Sequence, residues 1–194
     1  MSTTSIRAAL EAERSQVVST IVAGFITDPV ARWCFPGCDS YLAHMPEFVN
    51  AYGGKAFGNG TAWVEEHLSG AALWLPPGEG PDEEALGAFV SSAIAPEKQG
   101  PLLAALEELG GYHPHEPHWF LPLIAVDPHC HGHGLGTQLM SHAIAKCDET
   151  GSRAYLESSN PRNITLYERH GFRVAGEVRS GGCPVFTAML RAPQ

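Results

Sequence analysis

Along this chain, stretches whose apolar residues recur every three to four positions alternate with short runs that are apolar throughout. Ile6, Leu10, Val17, Val18, Ile21 and Val22 fall roughly on one face and predict a helix over residues 6–25. No first strand is evident before that helix. Asp28-Pro29 interrupts the pattern, and a short helix is expected from Val30 to Trp33. Leu42, Met45, Phe48, Val49 and Tyr52 predict another over residues 41–57, closed by the turn Gly58-Asn59-Gly60. Strands are expected at 61–64 and 71–75, joined across Ser69-Gly70, with Pro76-Pro77-Gly78 ending the second. Asp82-Glu83-Glu84 suits the first turn of a helix running through Val90 and Ile94. A further helix is expected over 102–109, stopping at Gly110-Gly111, with a loop from Tyr112 to Pro117.

Beyond residue 118 the pattern sharpens. Trp119 to Val126 is a nearly continuous apolar run, as expected of a strand buried on both faces. Pro122 cannot donate to a ladder, so that strand should be bulged or unpaired there. Asp127-Pro128 ends it. Leu135, Leu139, Met140, Ala143, Ile144 and Cys147 then follow at helical spacing. Residues 154–158 read as a short strand, 161–170 as a short helix stopped by Gly171, and 173–178 and 185–190 as two closing antiparallel strands. This order of elements predicts an α/β domain with a mixed sheet.

Composition narrows the function classes. The 194 residues suit one domain or one with a modest extension. A net charge of -9 argues against an electrostatic grip on nucleic acid or on an anionic membrane, and weakly favours a cationic substrate. No apolar run approaches the roughly 20 residues that span a bilayer. The first residues lack the apolar core of a secretory signal, and five cysteines without a paired pattern are no disulfide framework. The expectation is a reducing, cytoplasmic setting.

His131-Gly132-His133-Gly134-Leu135-Gly136 sits between the buried strand and an amphipathic helix. Glycines there let the backbone approach a ligand, and N–H groups at a helix start bind phosphate. A Walker loop would need Lys-Ser/Thr next, where Thr137-Gln138 stand. A dinucleotide fingerprint has a different glycine spacing. A tight turn with no ligand also fits the spacing.

Val126-Asp127-Pro128 followed by His131-Gly132-x-Gly134-x-Gly136 resembles a signature of the GNAT superfamily of N-acetyltransferases. The stretch Asn160-Pro161-Arg162-Asn163-Ile164-Thr165-Leu166-Tyr167-Glu168-Arg169-His170-Gly171-Phe172 looks like that family's second signature. The resemblance is close over residues 118–191. It is closest to the puromycin N-acetyltransferase-like branch, through Glu116-Pro117-x-Trp119-Phe120-Leu121, Leu156-Glu157-x-Ser159 and Tyr167-Glu168-Arg169. Two positions depart from the pattern: His131 stands where the family has Gln or Arg, and Asn163 where it has Ala.

The resemblance implies a mixed, mostly antiparallel central sheet flanked by helices, with a splayed strand pair holding the cofactor. It implies one N-acetyltransferase domain over 1–194, with 1–117 on the acceptor side and 118–191 binding acetyl-CoA. Backbone groups of Ile124, Ala125 and Val126 would then meet pantetheine. The amides of Gly132, His133, Gly134, Leu135, Gly136 and Thr137, with His131 beside them, would hold the pyrophosphate. Tyr167 would be the general acid that protonates the leaving thiolate. Glu157 is the candidate base, with a structural carboxylate paired to Arg162 or Arg169, or water as base, as alternatives. Asn160 and Asn163 either bond the cofactor or cap a helix. The implied reaction moves acetyl from acetyl-CoA to the primary amine of a small molecule by direct attack. A homodimer is left open.

Other readings remain at this point. A non-catalytic CoA-binding or ligand-sensing module would share the fold, but would not need a phenol at Tyr167. His113, His115, His118, His129, His131 and His133 invite a zinc reading, yet three lie on the glycine loop and their spacing matches no helical metal motif. No metal is expected.

Overall fold

The computed structural model describes residues 5–194. Its elements run β1 (Ile6–Ala8), α1 (Arg14–Gly24), α2 (Pro29–Cys34), α3 (Cys38–Gly53), α4 (Lys55–Gly58), β2 (Ala62–Glu65), β3 (Gly70–Leu75), α5 (Glu83–Ala93), α6 (Pro96–Gly110), β4 (Trp119–Val126), α7 (Leu135–Glu149), β5 (Ala154–Ser158), α8 (Ile164–Arg169), β6 (Arg173–Val178) and β7 (Phe186–Arg191). The strands form one seven-stranded sheet in the order β1-β2-β3-β4-β5-β7-β6. Every neighbouring pair is antiparallel except β4 and β5.

The central strands β2 to β5 are buried on both faces. Ala71, Leu73 and Leu75 of β3 point into one core with Val17, Ile21, Met45 and Phe89, from α1, α3 and α5. Ala72 and Trp74 point the other way, to Leu139, Met140, Ala143 and Tyr167 of α7 and α8. Strands covered on both sides carry apolar residues at every position, which is why β4 reads as a continuous run.

β4 breaks its own alternation. Trp119 and Leu121 face the α7 side and Phe120 the other, but Leu123 and Ala125 also face the α1 side. One extra residue is therefore inserted around Pro122. The ladder agrees: Leu75 pairs with Phe120 and Leu73 with Leu123, so two steps on β3 match three on β4. Pro122 has no N–H to give, and the bulge sits where that donor is missing.

Two expectations are corrected. Residues 6–25 are not one helix: Ile6–Ala8 form an edge strand on β2, a 3-10 turn spans Glu11–Glu13, and α1 starts at Arg14. Ile6 and Leu10 mimic helical spacing, but Leu10 is 64% exposed and contributes to no core. Helix α6 begins at Pro96, not near residue 102, and runs through Pro101. Proline ordinarily marks a helix boundary; here Pro96 takes the favoured first position, and Pro101 forgoes one backbone hydrogen bond while Leu102, Ala105 and Leu109 are buried. Among the described residues no helix is long and apolar enough to cross a membrane.

Candidate active site

β4 and β5 pair only through Trp119, Phe120 and Leu121 opposite Ala154, Tyr155 and Leu156. Past the Pro122 bulge they part, while β4 keeps pairing with β3 as far as Val126. The edge of β4 that faces β5 is thus open from Pro122 onward. A cavity opens there, and its walls include Leu121 to Ile124 from β4, Leu156 to Ser159 from β5, and Asn163 and Tyr167.

Tyr167 lies on α8, which Gly171 ends in the left-handed region at φ +84°. Its ring is buried at 5% exposure and meets Phe172 edge-on. Burial above all, and then the charge of Asp28, push the phenol pKa up, and a side-chain hydrogen bond with Asn163 pulls it back in part. Near neutral pH the group is a protonated phenol, a proton donor rather than a base.

Asp28 is fixed from three sides. Its Oδ1 accepts from the amides of Val30 and Ala31 at 3.0 Å each, capping α2. Its Oδ2 accepts from the Ser159 hydroxyl at 2.6 Å. Burial raises its pKa, against these hydrogen bonds.

Glu157 projects from β5 with its side chain 8% exposed. Tyr52 donates to Oε2 at 2.7 Å, Tyr155 donates to Oε1 at 3.1 Å, and His113 Nε2 lies 3.1 Å from Oε1. Its partners are these three and not Arg162 or Arg169, because both arginines lie beyond the end of β5 while the cavity side is walled by α3. The far wall is apolar and aromatic: Phe35, Phe48 and Phe89 stand with ring centroids 5.7 to 6.1 Å apart around Phe89.

At the other end of β4 the chain makes a 3-10 turn over Pro128–Cys130, capped by Asp127 Oδ1 accepting from the His129 amide at 2.8 Å. Gly132 and Gly134 then take φ of +81° and +79°, which side chains disfavour. Gly134 is the N-cap of α7 and offers no side-chain cap. The amides of Leu135, Gly136 and Thr137 belong to a first helical turn, which has no acceptor within its own helix, and the helix dipole adds positive potential there. This is a fitting cradle for a diphosphate. His131 donates from Nε2 to the Val126 carbonyl at 2.9 Å and straps the loop to the end of β4. His133 Nδ1 bonds the Cys130 carbonyl at 3.2 Å. Among the described residues no group of three His, Cys, Asp or Glu stands together as metal ligands.

The structure thus brings Ile124, Glu157, Asn163 and Tyr167 to one cavity. Residues 131–137 do not line that cavity and lie between the end of β4 and the first turn of α7. Ala125 faces the α1 core, and Asn160 caps the turn Pro161–Asn163 by accepting from the Arg162 amide at 3.1 Å. Sequence reading missed Asp28 and Ser159 as members of the site, and the contact of Tyr52 with Glu157. Asp28-Pro29 carries a local cap signal, but its partner lies 131 positions away and Tyr52 meets Glu157 across 105.

Residues 63–172 match the family model described as acetyltransferase (GNAT) family. Solved structures of similar fold include a Corynebacterium glutamicum protein described as histone acetyltransferase HPA2 and related acetyltransferase (TM-score 0.71, 24% identity, covering 100% of this chain and 98% of that one). The Aedes aegypti arylalkylamine N-acetyltransferase 2 is similar at TM-score 0.69 and 11% identity, covering 100% of both chains. A Drosophila melanogaster polyamine N-acetyltransferase that forms N-acetylagmatine is similar at TM-score 0.66 and 15% identity, covering 97% of this chain and 98% of that one.

Proposed function

The chain belongs to the GNAT family of acetyltransferases, and from that premise we propose that it transfers acetyl from acetyl-CoA to the primary amine of a small molecule by direct attack. The observation that carries this is that the Tyr167 phenol and the Glu157 carboxylate line one cavity at the point where β4 and β5 part. The amides of residues 132–137 hold the pyrophosphate, with His131 bracing the loop. The open edge of Ile124 to Val126 takes pantetheine, and Asn163 sits beside Tyr167. Acetyl-CoA supplies the activated acyl group as a thioester.

Glu157 accepts a proton from the acceptor's ammonium, which frees the nitrogen lone pair to attack the carbonyl carbon. Tyr167 gives its proton to sulfur as the carbon–sulfur bond breaks. A second proton from nitrogen restores the phenol. The balance is ammonium plus thioester giving amide, thiol and one released proton.

The cavity also supports a class of acceptor. Its distal wall is Phe35, Phe48, Leu86, Phe89, Ile94 and Leu106. Its two carboxylates are Glu157 and an Asp28 already taken by Val30, Ala31 and Ser159. This suits one amine on an apolar or aromatic body. The name of the arylalkylamine enzyme and the puromycin N-acetyltransferase-like sequence texture agree with it better than the name of the polyamine enzyme does.

Tyr167→Phe tests the mechanism. We expect turnover to fall about 10²-fold or more, the range of a positioned general acid, with acetyl-CoA affinity by calorimetry unchanged. Full activity in that variant would overturn the assignment. Acetyl-CoA binding without turnover on phenylethylamine, tryptamine, puromycin or agmatine would instead favour a sensing module.

A further inference from the structure

Glu157 sits between two environments. The cavity reaches it on one side, along with Tyr52. On the other side stands His113, which lies outside the cavity lining and whose side chain is 33% exposed against 8% for Glu157. The three partners of the carboxylate are not equivalent for a proton. Burial first, and then the charge of Glu157, raise the phenols of Tyr52 and Tyr155 above their ordinary range. Near neutral pH those two groups only donate. Tyr155 is fully buried, and its hydroxyl also reaches the Leu109 carbonyl at 3.4 Å. His113 is the partner that meets solvent, and an imidazole can take a proton on one ring nitrogen while giving one from the other.

We propose that His113 is the exit through which the proton taken by Glu157 from the acceptor amine passes to solvent. This rests on Glu157 being the base. The step balances as follows. The ammonium N–H bond breaks and a carboxylic O–H forms on Glu157. His113 Nε2, 3.1 Å from Oε1, takes that proton and the ring gives its Nδ1 proton to water. Glu157 is again a carboxylate, His113 is again neutral, and exchange with water resets its tautomer. No oxidant or other reactant is needed.

The surroundings hold the imidazole to this task. It packs on Tyr155 with ring centroids 4.1 Å apart and meets Phe120 edge-on at 5.1 Å. The groups facing it are Glu157 and Tyr155 from β5, Tyr52 from α3 across the carboxylate, and His118 from its own loop at 5.5 Å. Burial lowers the pKa of His118, and Glu116 lies behind it. The negative charge nearest the His113 ring is that of Glu157 itself. His113 is a positioning and proton-transfer residue; it does not touch the acceptor.

The test compares His113→Ala, His113→Gln and Glu157→Gln in steady-state acetylation of phenylethylamine, where Glu157 must lose its proton on every cycle, with melting curves and acetyl-CoA calorimetry to show that each is folded and loaded. We expect His113→Ala to be slowed about tenfold, below the usual contribution of a group acting directly on substrate, and to recover on adding imidazole. His113→Gln keeps a polar side chain beside Glu157 but cannot carry the proton, and should stay slow. Wild-type rates in both His113 variants, or a slow His113→Ala that imidazole does not restore, would overturn the relay. If Glu157→Gln turns over at the wild-type rate, the base assignment itself falls. If Glu157→Gln is inactive while both His113 variants are normal, only the exit route fails.

Discussion

Tyr52 donates a 2.7 Å hydrogen bond to Oε2 of Glu157, linking α3 to β5 across 105 positions of sequence. Tyr52 also stacks on Phe48 at 5.2 Å and meets Phe120 edge-on at 5.8 Å. One side chain therefore builds the apolar wall and anchors the carboxylate that the wall surrounds. Tyr52→Phe keeps the ring and removes the donor. A hydrogen bond to a charged group contributes roughly 1.5–3 kcal/mol, and Glu157 retains the Tyr155 donor, so the lower end applies. We expect the melting temperature to fall by about 3–6 °C, and acceptor turnover to drop severalfold with acetyl-CoA affinity unchanged. Unchanged melting and turnover would show that Tyr155 and His113 suffice to hold Glu157.

The glycine loop separates two uses of glycine. At Gly134 the backbone has φ +79°, so a side chain is strained whatever the space around it. At Gly136 an added Cβ would meet Leu166 at 3.6 Å and Val126 at 3.9 Å, which is ordinary contact. Gly134→Ala should cost about 1–2 kcal/mol in this left-handed conformation and, by moving the α7 amides, weaken acetyl-CoA roughly tenfold. Gly136→Ala sits inside α7 and should keep its affinity within about twofold, with equal or better stability from the helix preference of alanine. Calorimetry on the pair decides; equal losses at both positions would mean that the ligand needs the space and not the turn.

What the sequence made legible follows from locality. Strand β4, helix α7 and the glycine loop declare themselves because their signals lie within a few residues: a continuous apolar run, helical spacing, a glycine cluster. Pro122 likewise announced the β4 bulge. Edge strand β1 did not, because three residues on a half-exposed edge carry too little pattern to outweigh a neighbouring helix. The site divides in the same way. Motif position singled out Tyr167 and Glu157, which line one cavity, whereas Asp28, Tyr52 and Ser159 meet their partners through pairs that only the folded topology creates. The partners of Glu157 come from α3, β5 and the loop before β4, so charge complementarity with nearby arginines was a poor guide.

Gly24 is a packing glycine under β4. A Cβ there would lie 2.6 Å from Ala125 Cβ and 3.1 Å from the Val126 carbonyl oxygen. Helix α1 must then lift from β4 or push it. Overpacking of this kind costs about 1–3 kcal/mol. Gly24→Ala should lower the melting temperature and also weaken acetyl-CoA, since the displaced atoms belong to Ala125 and Val126. A stability loss with full affinity would show that α1 alone gives way.

Acid should loosen the N-terminal edge before the core. Glu13 accepts from both Arg7 guanidinium nitrogens, at 2.8 and 2.7 Å, and from the Leu10 amide at 2.8 Å. Foremost the Arg7 hydrogen bonds, and then that amide, bring the Glu13 pKa from its ordinary 4.5 down to about 2. A folded-state pKa below the unfolded one means that the unfolded chain binds the proton more readily. The stabilisation is thus complete above pH 4.5 and is lost as pH falls toward about 2. Because Arg7 lies on β1, the loss falls on the β1–β2 pairing at Ile6, Arg7 and Ala8. Hydrogen exchange at these amides should accelerate across that window relative to β3. Glu13→Gln should show the faster exchange already at neutral pH and no further change down the window. Equal acid sensitivity in the variant would mean that another carboxylate governs the edge.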